Sequence, residues 1–162
     1  MADSPLQRDL QQNRPFESAA QEALLGLLRT ADVVRLRLAG VLEPRGVTLQ
    51  QYNVLRILRG AGAEGLPTLE IGARMIERAP GVTRLLDRLE TKGLARRERS
   101  RADRRQVFCT ITPAGLELLA ALDRPIQAVD GDVAAKLSAA EQRQLIHLLD
   151  VLREPPSPAA TE

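Results

Sequence analysis

Histidine and cysteine each occur once in this chain, lysine twice, and tryptophan not at all. The single cysteine, Cys109, excludes an internal disulfide and suits a reducing compartment. One histidine and one cysteine give a zinc site little to work with. No metal and no cofactor is therefore expected. Phe16, Tyr52 and Phe108 are the only aromatic residues, so a core must be built from aliphatic side chains. No apolar run approaches the ~20 residues of a membrane span. The polar stretch Met1 to Arg14 has no apolar centre of a secretion signal. These absences predict a cytoplasmic protein without membrane contact. No His–carboxylate or Cys–His pairing and no glycine-rich phosphate loop stands out, so no catalytic residue is assigned and no enzyme is expected.

Arginine, leucine and alanine are what the chain has in plenty. Its 162 residues suffice for one domain with a real core and an added oligomerisation part. Abundant leucine and alanine with 27% charged residues favour a mostly helical protein. The net charge is only +2, but it is unevenly spread. Arg74 to Arg105 holds eleven basic and five acidic residues, a net of +6, which leaves −4 for the rest. A basic module inside a near-neutral chain points to a localised anionic partner. Arginine in place of lysine favours bidentate contacts to phosphate and guanine.

The helical signals are orderly. Glu17 to Leu42 carries a stripe of Leu24, Leu27, Leu28, Ala31, Val34, Leu38, Val41 and Leu42, and Pro44-Arg45-Gly46 ends it. Thr48-Leu49-Gln50-Gln51 is a capping box opening a helix to about Arg59. Residues 60–65 read as a loop. Thr68, after Pro67, is placed to cap a short helix through Ile76. Ala79 to Glu90 reads as the next helix. Its apolar residues Val82, Leu85, Leu86 and Leu89 share one face, and Thr83, Arg84, Asp87, Arg88 and Thr91 lie opposite. After Gly93 the chain becomes extended, with Arg96, Arg97, Arg99, Arg101, Arg104 and Arg105 inside ten residues. Val107, Cys109 and Ile111 alternate with Phe108 and Thr110 as in a strand. Thr112-Pro113 restarts a helix, which Pro125 is expected to kink or break. Ser138-Ala139-Ala140-Glu141 opens a last helix carrying Leu145, Ile146, Leu148, Leu149 and Leu152.

Helix, turn, cationic helix and cationic hairpin form the pattern that DNA reading requires. The helix offers donors to base edges and the hairpin neutralises phosphates. Three segments carry a family resemblance. Thr83-Arg84-Leu85-Leu86-Asp87-Arg88-Leu89-Glu90 with Lys92-Gly93-Leu94 resembles the recognition helix and exit glycine of the MarR family of bacterial transcriptional regulators. Asp103-Arg104-Arg105 is similar to that family's Asp-x-Arg wing tip. Ile111-Thr112-Pro113-Ala114-Gly115 is similar to its Leu-Thr-x-x-Gly, with Ile for Leu. The flanking helices fit in length and order, so the resemblance covers roughly residues 17 to 152.

The expected fold is mainly α with a small two- to three-stranded β wing: a winged helix-turn-helix with a helical dimerisation region. The expected layout has a flexible arm at 1–16, dimerisation helices at 17–47 and 113–153, the winged helix at 48–112, and a flexible tail at 154–162. The resemblance implies a homodimer on a palindromic double-stranded DNA operator, with recognition helices one or more turns apart, ~34–36 Å or a multiple. It also implies repression by promoter occlusion and release by a small-molecule effector. Apolar stripes near both ends of the chain independently ask for a partner. The rival expectation is a winged helix that contacts protein and binds DNA only non-specifically.

Residue roles follow. Pro80 and Gly81 open the recognition helix, where its N-terminus can approach a phosphate. Thr83 and Arg84 are the base-edge candidates, Arg84 through guanine O6 and N7. Arg88, Lys92, Arg97 and Arg99 are assigned to phosphates, and Asp87 to pairing with a neighbouring arginine. Arg105, braced by Asp103, is what the resemblance sends into the minor groove; Arg101 and Arg104 flank it. Cys109 reads as a small buried residue rather than a redox sensor. His147 reads as surface or interfacial packing. Tyr52 and Arg56 are candidate ligand contacts, although core packing for Tyr52 and solvation for Arg56 is the preferred reading.

Overall fold

The computed structural model describes residues 4–77, 81–99 and 107–155. Met1–Ile126 and Gln127–Glu162 form two units.

The first unit begins with a short helix, α1 (Pro5–Asp9), inside the stretch expected to be a loose arm. The Ser4 side chain accepts the Gln7 N–H, Gln7 is buried, and Asp9 pairs with Arg29 at 2.7 Å. Five residues are too few to show a helical period in the sequence. α2 (Ala19–Leu42) is capped by Ser18, and its Gln21 side chain accepts the Glu17 N–H. Only its C-terminal end is buried, at Leu42; Leu24, Leu28 and Leu36 stay more than half exposed. Pro44 sits in a tight turn, and Gly46, at φ 73°, closes it.

α3 (Leu49–Ala61) is the central helix of this unit. Thr48 and Gln51 form the expected reciprocal cap. Tyr52, Val54, Leu55 and Leu58 are buried, and each such side chain contributes ~1.5–3 kcal/mol of burial. The helix continues through Gly60 to Ala61, past its expected end, because the glycine-rich stretch tightens into a 3-10 turn at Gly62–Glu64. Strand β1 (Leu66–Pro67) leads directly into α4 (Thr68–Arg74). Thr68 is therefore the first helical residue and not the cap. Its hydroxyl lies 3.9 Å from Cys109 Sγ instead.

α5 (Val82–Thr91) buries Leu85, Leu86 and Leu89 and exposes Thr83, Arg84, Asp87 and Arg88. β2 (Ala95–Arg99) and β3 (Val107–Ile111) pair antiparallel from Ala95 opposite Ile111 to Arg99 opposite Val107. β1 adds to the other edge of β3, with Leu66 opposite Cys109, so the wing sheet has the order β1-β3-β2. Of the strand's alternating residues only Cys109 is fully buried. α6 (Pro113–Ala134) contributes Leu119, Leu122 and Ile126 to the core.

Pro125 does not end α6. A proline in a helix interior costs roughly 3 kcal/mol. Ile126, the residue after it, is buried and recovers part of that cost. In the second unit, α7 (Ala139–Arg153) starts on the expected Ser138/Glu141 box. Gln142 Nε2 donates to the carbonyls of Ala134 and Leu137, at 3.0 and 3.1 Å, and ties the start of α7 to the end of α6. None of the residues of α7 is buried.

Candidate nucleic-acid interface

The outer side of α5 is exposed and carries Thr83, Arg84, Asp87 and Arg88. Its first residue is preceded by Gly81, which caps the helix at φ 110° and carries no side-chain cap. A residue with a Cβ would be strained at that φ. Thr83 and Arg84 lie on the first exposed turn and Arg88 one turn further on. Arg84, Arg88 and Arg99 are exposed and enter no ion pair among the described residues. Pro80 and the wing residues Arg101, Asp103, Arg104 and Arg105 lie outside the described residues.

Two cations assigned to phosphates also have partners within the protein. Arg97, at the base of the wing, pairs with Asp87 and turns a further N–H toward the Thr83 carbonyl at 3.4 Å. Its backbone N–H donates to Glu90 Oε1 at 3.2 Å, and its Nε lies 3.6 Å from Glu90 Oε2. That Nε is buried without a hydrogen-bond partner. The hydrogen bond that Arg97 donates to Asp87 raises the Arg97 pKa above its ordinary value, so the guanidinium is firmly charged. Asp87 and Glu90 sit three apart on one helix face, and together they draw the arginine onto α5. Lys92 donates its Nζ to the Gly46 carbonyl and, at 3.2 Å, to Gln51 Oε1. Arg96 is also engaged, with Thr110 Oγ1 at 3.0 Å and Glu98 at 3.2 Å.

The two motifs flanking the wing prove to be one joint. Gly93, at φ 69°, ends α5 with its N–H on the Glu90 carbonyl at 2.8 Å. The Thr112 hydroxyl donates to the Gly93 carbonyl at 2.6 Å and accepts the Gly115 N–H at 3.1 Å, while the Thr112 N–H donates to Leu94. A Cβ on Gly115 would stand 2.3 Å from the Leu94 carbonyl oxygen. Close approach is thus why that position holds glycine. The joint fixes the exit of α5 against the start of α6.

The candidate ligand residues touch each other. Tyr52 is buried in the core, and the exposed Arg56 lies with its guanidinium 5.9 Å from the ring centre. Sequence reasoning missed a second set of contacts, at the turn before α5. There Ile76 N–H donates to Asn53 Oδ1 at 2.9 Å, and Glu77 meets Gln50 Nε2 and Arg35 Nε at 3.1 Å each. Partners separated by 23 to 42 positions leave no periodic signal. Among the described residues no group of three or more His, Cys, Asp or Glu could hold a metal. No described helix is long and apolar enough to cross a membrane.

This geometry matches that of known proteins. The sequence pattern of the MarR family fits residues 45–106. An HTH-type transcriptional repressor of Mycobacterium bovis, Mb2911, is 30% identical over 135 residues, spanning 82% of this chain and 96% of its own length. The chain belongs to the MarR family. It is a DNA-binding transcriptional regulator with a winged helix-turn-helix fold. A transcriptional regulatory protein described for the hcr operon of Thauera aromatica is 34% identical over 104 residues, but the match spans only 61% of that protein and 64% of this chain. Among solved structures, a MarR transcription factor from Planctomyces limnophilus shares 39% identity, with a TM-score of 0.65 over 85% of this chain and 99% of its own. Sco3205 of Streptomyces coelicolor, a MarR-family regulator solved in complex with DNA, superposes with a TM-score of 0.77 over 91% of this chain and 94% of its own. At 20% identity that likeness speaks for the fold alone.

Proposed function

We propose that this MarR-family regulator is a cytoplasmic repressor that binds a palindromic operator as a homodimer, with Thr83 and Arg84 reading base edges. The observation that carries the reading is the division of labour among the arginines. Arg97 is engaged in bracing the wing against α5, whereas Arg84 and Arg88 stand exposed on the outer face of the same helix and enter no ion pair among the described residues. An exposed guanidinium on the first turn is placed to meet guanine O6 and N7. Arg88 and Arg99 are placed for phosphates, and Gly81 leaves the helix N-terminus open to one. Asp103 and Arg105, with Arg101 and Arg104, complete the assignment as the wing tip that enters the minor groove.

Dimerisation has its own support. The N-terminal half of α2 exposes Leu24, Leu27 and Leu28, and α7 exposes Leu145, Ile146, Leu148 and Leu152. Apolar surface on this scale marks an interaction site on a soluble domain. A two-fold dimer would present two recognition helices to two half-sites.

The test is fluorescence anisotropy on a duplex selected from a random pool by the wild-type protein, beside a scrambled duplex. Arg84→Ala should cost ~1–3 kcal/mol on the selected duplex and relax specificity, leaving the scrambled one little changed. Equal weakening on both duplexes would remove the base-reading role. Weak, sequence-blind and steeply salt-dependent binding by the wild type would favour the protein-contact alternative.

A further inference from the structure

The turn that leads into the recognition helix is held by side chains from two other helices. α4 ends at Arg74 and the chain leaves it extended at Met75, which is buried. The next residue, Ile76, is largely exposed and makes no use of its side chain. Its N–H is instead fixed by Asn53 of α3, and Glu77 is fixed by Gln50 of α3 and Arg35 of α2. Beyond Glu77, α5 has no side-chain cap of its own. The buried face of α5 and Arg97 hold the body of the helix, and the anchors on the turn before it are side-chain contacts at its N-terminal side, toward Thr83 and Arg84.

We propose that the Arg35–Glu77 pair is a positioning device for operator binding: it seats the Ile76–Glu77 turn so that the base-reading end of α5 meets the groove in register. Neither residue touches DNA in this reading. Arg35 has an alternative partner in Asp32 at 3.8 Å, but Glu77 is nearer at 3.1 Å. Asp32 is in turn 3.9 Å from Arg29, which Asp9 of α1 holds at 2.7 Å. The pair is thus the last link in a row of alternating charges along α2. A lone exposed ion pair contributes ~0–1 kcal/mol, and networks contribute more reliably than single pairs. One kilocalorie corresponds to about a fivefold change in binding, which sets the size of effect to look for.

The inference rests on the operator reading above, and charge alone makes the opposite prediction for one of the two residues. Glu77 is an anion close to the DNA-facing helix. If bulk electrostatics governed, Glu77→Gln would strengthen binding and Arg35→Gln would weaken it. If the pair positions the turn, both substitutions weaken binding to the specific site. The experiment titrates wild type, Arg35→Gln, Glu77→Gln, the double variant and the exchanged pair Arg35→Glu/Glu77→Arg onto the selected and scrambled duplexes. The expected result is about a two- to fivefold loss on the selected duplex for each single variant. The double variant should be no worse than either single, and the exchange should recover most of the loss. Amide exchange at Ile76 should quicken in both singles while the unfolding midpoint stays in place. Tighter binding by Glu77→Gln, or additive losses in the double variant, would overturn the proposal. So would unchanged affinity in both singles beside a weakened Arg84→Ala, a result that would leave the operator reading standing.

Discussion

α5 and α7 carry the same apolar arithmetic and meet opposite fates. In α5 the positions are Val82, Leu85, Leu86 and Leu89; in α7 they are Leu145, Leu148, Leu149 and Leu152, with identical spacing. Leu85, Leu86 and Leu89 are no more than 8% exposed, whereas Leu145, Leu148 and Leu152 are 44–60% exposed. A period of 3.6 says which side of a helix is apolar. It does not say what covers that side. The reading head covers α5 with α3, α4 and the wing of the same unit, whereas no residue of α7 is buried.

The largest effect should come from breaking α7. Under the dimer proposal, Leu145→Asp together with Leu152→Asp leaves a monomer with an intact reading head. Two linked heads gain about 10²–10⁴ over one, so operator affinity should fall by at least a hundredfold. Light scattering on a sizing column reports the mass, and anisotropy the affinity. A variant that remains a dimer would show that α7 is covered by something other than a second chain.

The matching experiment in α5 is Leu89→Ala. Leu89 is fully buried against its own chain, so the loss belongs to folding: ~2–5 kcal/mol in urea unfolding. Its oligomeric state should not change at concentrations where it is folded. A cost near zero would mean that α5 is packed no better than α7.

Glycines sharpen the same contrast on a smaller scale. Gly115→Ala puts a methyl group into the Leu94 carbonyl and Ile111, and overpacking of that kind costs ~1–3 kcal/mol. Gly131→Ala, farther along α6, meets nothing within 4 Å. Helix propensity alone then makes it neutral or stabilising, by up to ~1 kcal/mol. Equal effects of the two in thermal unfolding would contradict the joint between Gly93, Thr112 and Gly115.

Legibility followed the range of the interaction. Capping boxes span three residues and helical faces span seven, so Thr48/Gln51, Ser138/Glu141 and the face of α5 could be read directly. The joint at Gly93 and Thr112 was visible only as two separate motifs, because its hydrogen bonds cross the wing. The intramolecular partners of Arg97 and Lys92 were hidden for the same reason. Their partners lie 10 and 46 positions away, and a count of positive charge cannot tell an engaged arginine from a free one. Asp87 was recognised as a partner for an arginine, but not for which one. At Pro125 the local penalty is readable, but that the helix runs on past it to Ala134 is not.

The smallest expected effect is none at all, at Cys109. Its side chain is fully buried where β1, β2 and β3 meet, opposite Leu66 on one side and Arg97 on the other. Burial raises the thiol pKa; the Thr68 hydroxyl and the Arg97 charge oppose that without reversing it. The reactive species is the thiolate, so the folded protein at neutral pH should resist both alkylation and peroxide. The raised pKa also fixes a sign. A proton bound more tightly in the native state stabilises the fold fully below the ordinary thiol pKa, and the benefit disappears as pH climbs from there through the native value. Stability of the wild type should therefore fall more steeply in alkali than that of Cys109→Ala, after allowing for the lost volume. Labelling with a thiol reagent checks the first point: modification should track unfolding by urea. Rapid labelling of the native chain would place Cys109 at an opening in the wing sheet and revive a redox role there.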